Sequence, residues 1–427
     1  MMSISKATVP RILYDVSVLG ADLKDQRGRT GVYRVVDEIA RYLAKQSSID
    51  LNWSAFGNPD HLFDIVELLK QDSKIQRPLV AYLNLRRITD TLSAPIDYLE
   101  KTHLYPLVRP VLPWVKQLRE KATFNRHLLQ DFDLVHSPFH SLPEIDKRRP
   151  YPVRVLTVYD LSPIKFPQFY DARNAQRTAS TLNSLTSEDW VLCISESTRN
   201  DLLQFRPDLK PEQTRVTPLA AADHFRAVDD RECIRKTKER LGIPQDASYF
   251  LSVCTLEPRK NLGHLLSVFR QVRSEFDAET YLVLVGAKGW KIDNLINELA
   301  ASTAEKVIVT GYVADEDLAP IYSGAVAFVY PSLFEGFGLP TLEAMQCGTP
   351  VITSNNSSLP EVVGDAGILV PADSVDDLAN AMIRVYRNPD FRSQLIRAGH
   401  ERAKRFSWDR CGQLTLETYL NALEARG

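Results

Sequence analysis

Pro331-Ser-Leu-Phe-Glu-Gly-Phe-Gly-Leu-Pro-Thr-Leu-Glu343 is the stretch from which the rest of the chain can be read. The apolar run before it, Ala325-Val-Ala-Phe-Val-Tyr330, reads as a buried strand. Gly348 and Pro350 follow as ordinary helix-stop residues. The unit is therefore a strand, a glycine turn and a short helix. Gly336 and Gly338 would let backbone N–H groups approach a ligand, and a helix N-terminus favours an anion. Glu335 and Glu343 then sit beside an anion site, where carboxylates suit hydroxyl groups and repel the anion itself. A plainer reading also fits. Glu in a first helical turn is favoured by the macrodipole alone, and Gly-x-Gly turns occur in many loops.

Working outward, short apolar runs alternate with amphipathic segments, the mark of a parallel α/β layout. The first half opens with Arg11-Ile-Leu-Tyr-Asp15, followed by a loop from Gly20 to Gly31. A helix comes next, carrying Val32, Val35, Val36, Ile39, Ala40 and Leu43 on one face. Further strands are expected at Leu134–His136, Val153–Tyr159, Trp190–Ile194 and Arg215–Thr217. A second series runs through Tyr249–Val253, Thr280–Val285, Val307–Val309, Ala325–Tyr330 and Val351–Thr353. The expected architecture is α/β, with two Rossmann-like domains facing a cleft. The first covers 1–225 together with a terminal helix at 408–427, and the second covers 226–407. Ligands of such sheets bind at the carboxyl ends of the strands, where the Glu335 loop falls.

The totals narrow the function classes. The chain has 427 residues, 44% hydrophobic and 25% charged, as in a globular protein. A formal net charge of −2 does not suggest nucleic acid as a partner. Five scattered cysteines without a C-x-x-C pair argue for a reducing compartment and against a zinc site or a disulfide framework. No apolar signal core opens the chain, and no run approaches the roughly 18 apolar residues of a membrane span. A cytoplasmic protein is expected.

Leu256-Glu-Pro-Arg-Lys-Asn261 carries the second chemical signal. Asn261 reads as a helix N-cap, and Leu262, Leu265, Leu266 and Phe269 form the apolar face behind it. Arg259 and Lys260 precede that helix, where cations oppose its dipole at about 0.3–1 kcal/mol each. An anionic ligand would offset this, since Arg pairs with phosphate through parallel donors and Lys acts as a point charge. Two solvated loop cations are the alternative. Arg27-Gly-Arg-Thr-Gly31 could present backbone donors from the other half, though glycine is common in turns before helices. Phosphate from these groups, with hydroxyls at the glutamates, describes a sugar nucleotide.

Thr157-Val-Tyr-Asp160 and Leu134-Val-His136 each end an apolar run with polar residues facing the expected cleft. His136 fits a core histidine equally well, and Asp160 fits a turn residue. No His/Asp/Glu metal cluster and no nucleophilic triad is apparent. Residues 101–127 mix Lys and Arg with aromatic and aliphatic side chains. They read either as a peripheral membrane contact or as a solvated helical hairpin.

Together these motifs resemble glycosyltransferase family 4, the retaining enzymes of GT-B architecture, in a bacterial mannosyltransferase-like subgroup. Two glutamates separated by seven residues, Glu335 and Glu343, carry the resemblance most specifically. Cys193–Thr198, Thr310–Asp315, Gly348–Val351, Leu359–Gly364 and Phe406-Ser-Trp408 support it. The resemblance implies that Glu335 contacts the donor sugar and Glu343 the ribose. Gly336, Phe337, Gly338 and Leu339 would meet phosphate and sugar, Arg259 and Lys260 the diphosphate, Gly31 the phosphates and Val313 the base side. It also implies a last helix crossing back onto the first domain, no cofactor and no metal. The nucleotide sugar would be a co-substrate, passed to a glycan or lipid-linked acceptor at the inner face of the membrane.

The chain departs from the family at two places. Thr255 stands where many members carry Arg, and Tyr159 where many carry His before Asp160. Asp160 thereby becomes the candidate for contacting the transferred sugar, with Tyr159 and His136 on the acceptor side. Glu335→Ala is expected to abolish transfer with little effect on the fold. The Thr-Leu-Glu-Pro-Arg-Lys-Asn form resembles a bacterial subgroup of mannosyl- and related transferases, and that resemblance implies a GDP-sugar, GDP-mannose first, with a UDP-sugar as the alternative. Intact Glu335, Glu343, Arg259 and Lys260 argue against a non-catalytic nucleotide-sugar sensor.

Overall fold

A computed structural model describes residues 9–22, 31–56, 62–79, 126–148, 150–289 and 306–426. Among them, strands β1 (Arg11–Asp15), β2 (Asp50–Ser54), β3 (Leu134–Ser137), β4 (Val153–Val158), β5 (Trp190–Cys193) and β6 (Thr214–Val216) form a parallel sheet ordered 2-1-3-4-5-6. A second parallel sheet holds β7 (Ser248–Val253), β8 (Thr280–Val285), β9 (Val307–Gly311), β10 (Ala327–Tyr330), β11 (Val351–Ser354) and β12 (Ile368–Val370). Its order is 12-11-10-7-8-9. The expected pair of Rossmann-like sheets is therefore present. Most of residues 101–127, the stretch with the expected membrane contact, lie outside the described residues.

Helices cover both faces of each sheet, so the central strands are continuous apolar runs. β4 is buried along its whole length. Its one charge, Arg154, is neutralised by Asp189, with Nε donating at 2.8 Å. β2 and β12 have no counterpart in the expected strand series. Asp-Leu-Asn-Trp-Ser at β2 carries three polar residues and occupies a sheet edge. Its register is held by buried Trp53, which donates to the Ile75 carbonyl at 2.7 Å. β12 has only three residues and is also an edge strand.

The last helix, Trp408–Glu424, leaves the second half and packs on helix Gly31–Ala44 of the first. Ser407 caps it, accepting from the Arg410 N–H at 3.1 Å. Gly412 is required at this crossing, because a Cβ there would lie 2.2 Å from the Tyr42 ring.

In both sheets the strand order reverses at one point, between β1 and β3 and between β7 and β10. Loops leaving adjacent strands diverge there and open a crevice. The two crevices face each other and merge into one cleft of about 1090 Å³.

Candidate active site

β10 ends at Tyr330, and the chain turns through Pro331–Phe337 into helix Leu339–Gln346. Gly338 occupies the position before the helix with φ of 101°, a backbone conformation that favours glycine. Neither glutamate lies in the first helical turn. Glu335 precedes the helix and Glu343 is its fifth residue, so the macrodipole does not explain them.

Glu335 is buried at the centre of a charged cluster. Its Oε1 accepts from Lys260 Nζ at 2.7 Å and from Ser332 Oγ at 2.6 Å. Arg259 Nη1 lies 3.0 Å from Oε2. Burial pushes the carboxyl pKa up, but Arg259 and Lys260 outweigh it and hold the group at about 2. Arg259 also donates to the Phe334 carbonyl at 2.6 Å and to Glu257 at 2.5 Å. Lys260 donates to the Tyr330 hydroxyl at 2.6 Å. The cations come from a tight turn, Pro258–Lys260, pinned to the loop by the Leu333 N–H on the Arg259 carbonyl at 2.9 Å.

Asn261 stands at the expected cap position but does not cap. Its φ is 58°, and its side-chain amide donates to the Pro331 and Ala372 carbonyls at 3.1 and 2.8 Å. Asn tolerates that backbone conformation, and the side chain serves to tie the cation turn to the Glu335 loop.

The cluster has spare donor capacity. Lys260 carries three N–H groups, of which Tyr330 and Glu335 take two. Arg259 Nε is buried without a partner among the described residues. Such a group can serve a diphosphate and neutralise charge as it develops on a leaving phosphate. Glu335→Ala would remove the counter-ion shared by Lys260 and Arg259, leaving Arg259 with Glu257 alone, so a cost to the fold is expected beside the loss of transfer.

Glu343 is equally buried but differently supported. Oε2 accepts from the Tyr322 hydroxyl at 3.1 Å, and Oε1 accepts from Arg34 at 3.3 Å. Burial and nearby Asp315 raise its pKa, against the opposing pull of Arg34 and Tyr322.

From the first half, Tyr159 and Asp160 reach the cleft directly after β4. Asp160 Oδ1 accepts from the Ser162 N–H at 2.8 Å and its hydroxyl at 2.5 Å. Ser162 Oγ is in turn 2.6 Å from the Tyr170 hydroxyl. Gly336 meets this strand end closely, since a Cβ there would lie 2.5 Å from the Tyr159 carbonyl and 3.2 Å from Asp160 Oδ2. Ser195 Oγ holds the contact by donating to the Gly336 carbonyl at 2.7 Å. Glu361 accepts the Glu196 and Ser197 N–H groups at 2.8 and 2.6 Å, at the N-terminus of helix Glu196–Phe205. Two motifs far apart in sequence, 193–198 and 359–364, thus form one clasp between the halves.

Gly31, Val313, Phe337 and Leu339 also line the cleft. A Cβ at Gly31 would make only an ordinary 3.6 Å contact with Leu339, so packing does not require glycine there.

His136 does not line the cleft, which corrects its placement on the acceptor side. It is buried under the last helix, with Nε2 2.8 Å from Thr157 Oγ1 and Nδ1 against the Tyr419 hydroxyl. Burial pushes its pKa down to about 3, so it is a neutral core histidine. Arg34 lies in no motif of the sequence, yet as a cation in the first turn of helix Gly31–Ala44 it repeats the signal carried by Arg259 and Lys260.

Two facing parallel sheets, with loops from both switch points meeting in one cleft, define the GT-B class. Residues 234–402 match the family described as glycosyl transferases group 1. The chain is 33% identical over 288 residues to O-antigen chain mannosyltransferase B of Escherichia coli, covering 67% of this chain and 74% of that one. It is 28% identical over 277 residues to the serotype-specific mannosyltransferase WbdA of Escherichia coli, of which it spans only 34%. In fold it resembles sucrose-phosphate synthase from Thermosynechococcus elongatus, with a TM-score of 0.64 and 21% identity over 97% of this chain and 100% of that one. WaaG, a glycosyltransferase involved in lipopolysaccharide biosynthesis, gives a TM-score of 0.61 at 14% identity over 94% and 97%. The chain belongs to the group 1 glycosyl transferases and is a glycosyltransferase.

Among the described residues no group of three His, Cys, Asp or Glu side chains is placed to hold a metal ion. None of the described helices is long and apolar enough to cross a membrane.

Proposed function

We propose that this glycosyltransferase moves mannose from GDP-mannose to a glycan or lipid-linked acceptor in surface polysaccharide synthesis, with retention at the anomeric carbon and without a metal. The observation that carries this reading is the buried Glu335, held ionised by Arg259 and Lys260 and lining the same cleft as Asp160. The choice of mannose rests on similarity to the O-antigen chain mannosyltransferase B of Escherichia coli.

In this reading Arg259 and Lys260 hold the diphosphate and take up its charge as the sugar–phosphate bond breaks. Glu335 accepts hydrogen bonds from the sugar hydroxyls. Asp160, oriented by Ser162, stands on the same face as the incoming acceptor and stabilises positive charge at the anomeric carbon. The donor phosphate receives the acceptor proton in a front-side substitution, so no side chain becomes covalently attached.

A thermal-shift panel of GDP, UDP, ADP and CDP tests the base, and GDP is expected to raise the melting temperature most. Transfer from GDP-mannose to a mannose-terminated acceptor, followed by NMR of the new linkage, tests the sugar and the stereochemistry. A β-linked product, or stabilisation by UDP alone, overturns the reading.

A further inference from the structure

Arg34 is the fourth residue of helix Gly31–Ala44, where its charge opposes the helix dipole. Its guanidinium nevertheless crosses from the first half to the second. Nη1 lies 3.3 Å from Glu343 Oε1, Nη2 lies 3.4 Å from Asp315 Oδ2, and the group sits 5.7 Å over the Phe225 ring. Its side chain is only 18% exposed. Desolvating a cation is costly without partners, and here two carboxylates of the other half supply them.

The consequence falls on Glu343. Each of its oxygens has one protein donor, Arg34 on Oε1 and Tyr322 on Oε2. A carboxylate has about four acceptor positions, so each oxygen keeps one for a ligand. Two adjacent hydroxyls of a ribose offer the matching pair of donors. Without Arg34, Glu343 would face Asp315 uncompensated and would be tethered by Tyr322 alone.

We propose that Arg34 is a positioning residue for the donor: when the two halves close, its guanidinium bridges Asp315 and Glu343 and fixes the Glu343 carboxylate to accept from the vicinal hydroxyls of the nucleotide ribose. The proposal rests on reading the cleft as a nucleotide-sugar site. It makes recognition of the ribose complete only in the closed arrangement, because the cation and the carboxylate belong to different halves. An open cleft retains the Glu335–Lys260 cluster intact but holds the ribose loosely.

The test is a chemical cycle. Dissociation constants for GDP, 2′-deoxy-GDP, UDP and 2′-deoxy-UDP are measured by calorimetry on the wild type, Arg34→Gln, Arg34→Lys and Glu343→Gln, each first shown to be folded by its melting curve. The wild type is expected to favour the ribonucleotide by on the order of tenfold, the worth of a hydrogen bond to a charged acceptor. Arg34→Gln should narrow that preference to within about twofold, and Arg34→Lys should restore part of it. If Arg34→Gln weakens both nucleotides equally and leaves the ratio at its wild-type value, Arg34 only ties the halves together and the proposal fails. In that case a narrowed ratio in Glu343→Gln keeps the ribose reading alive. A full preference retained in Glu343→Gln, or no binding of either diphosphate by the wild type, overturns the ribose reading and this proposal with it.

Discussion

The two carboxylates that flank the Gly336–Gly338 turn, one in the loop and one in the helix after it, live in opposite surroundings. Glu335 is surrounded by its own half: Lys260, Arg259 and Ser332 all come from the second domain, and its pKa is held at about 2. Glu343 draws its cation from the first domain, and burial beside Asp315 raises its pKa. One site is built from the second domain alone. The other is completed only when the halves meet.

Glu335→Ala attacks the self-contained site and should have the largest effect. Transfer should fall by about 100- to 1000-fold, as when one preorganised electrostatic partner is removed. The same change leaves Arg259 and Lys260 buried without their shared counter-ion, a loss of about 3–5 kcal/mol typical of a broken buried pair. Steady-state kinetics and calorimetric melting read the two effects. Turnover within tenfold of wild type removes Glu335 from the chemistry.

Gly336→Ala separates the halves without touching either carboxylate. The added Cβ would lie 2.5 Å from the Tyr159 carbonyl, so the clasp must open or the strand end must shift. Overpacking of this kind costs about 1–3 kcal/mol. A ten- to hundredfold fall in kcat/KM is expected, with nucleoside diphosphate affinity changed only a few-fold and a larger radius of gyration in solution scattering. Unchanged scattering together with unchanged kcat/KM would show that the contact is not needed for closure.

His136→Gln should have the smallest effect on transfer, within about twofold, because His136 lies outside the cleft. Its signature is in stability. The folded-state pKa of about 3 is below the ordinary value near 6.5. Between these values the unfolded chain binds the extra proton, so the stability from neutral His136 is present above about pH 6.5 and is lost as pH falls toward 3. Melting temperatures from pH 7 to pH 4 should therefore fall less steeply in the variant.

Much of the donor half was legible in the sequence because its parts are short-range. Pro258–Lys260 and Pro331–Leu339 each follow one apolar strand, and both strands flank the switch point of one sheet. The first half was harder to read. Its cleft residues are spread over several strand ends and helix Gly31–Ala44, and His136 ends an apolar run just as a site residue would, yet points into the core. β2 was hidden by polar residues that an edge strand can carry.

Most of the strands, the glycine turn, the cations before a helix and the paired glutamates were readable in the sequence, since periodicity and local backbone demands are written within a few residues; the order of the strands in each sheet and the burial of the cations were not. Which cation meets which carboxylate did not. Arg34 and Glu343 are 309 positions apart and are joined only by the packing of two domains. A long flexible side chain carries no mark in sequence of the distant partner that will neutralise it, so the tertiary structure alone decided that half of this pocket is built across the two domains.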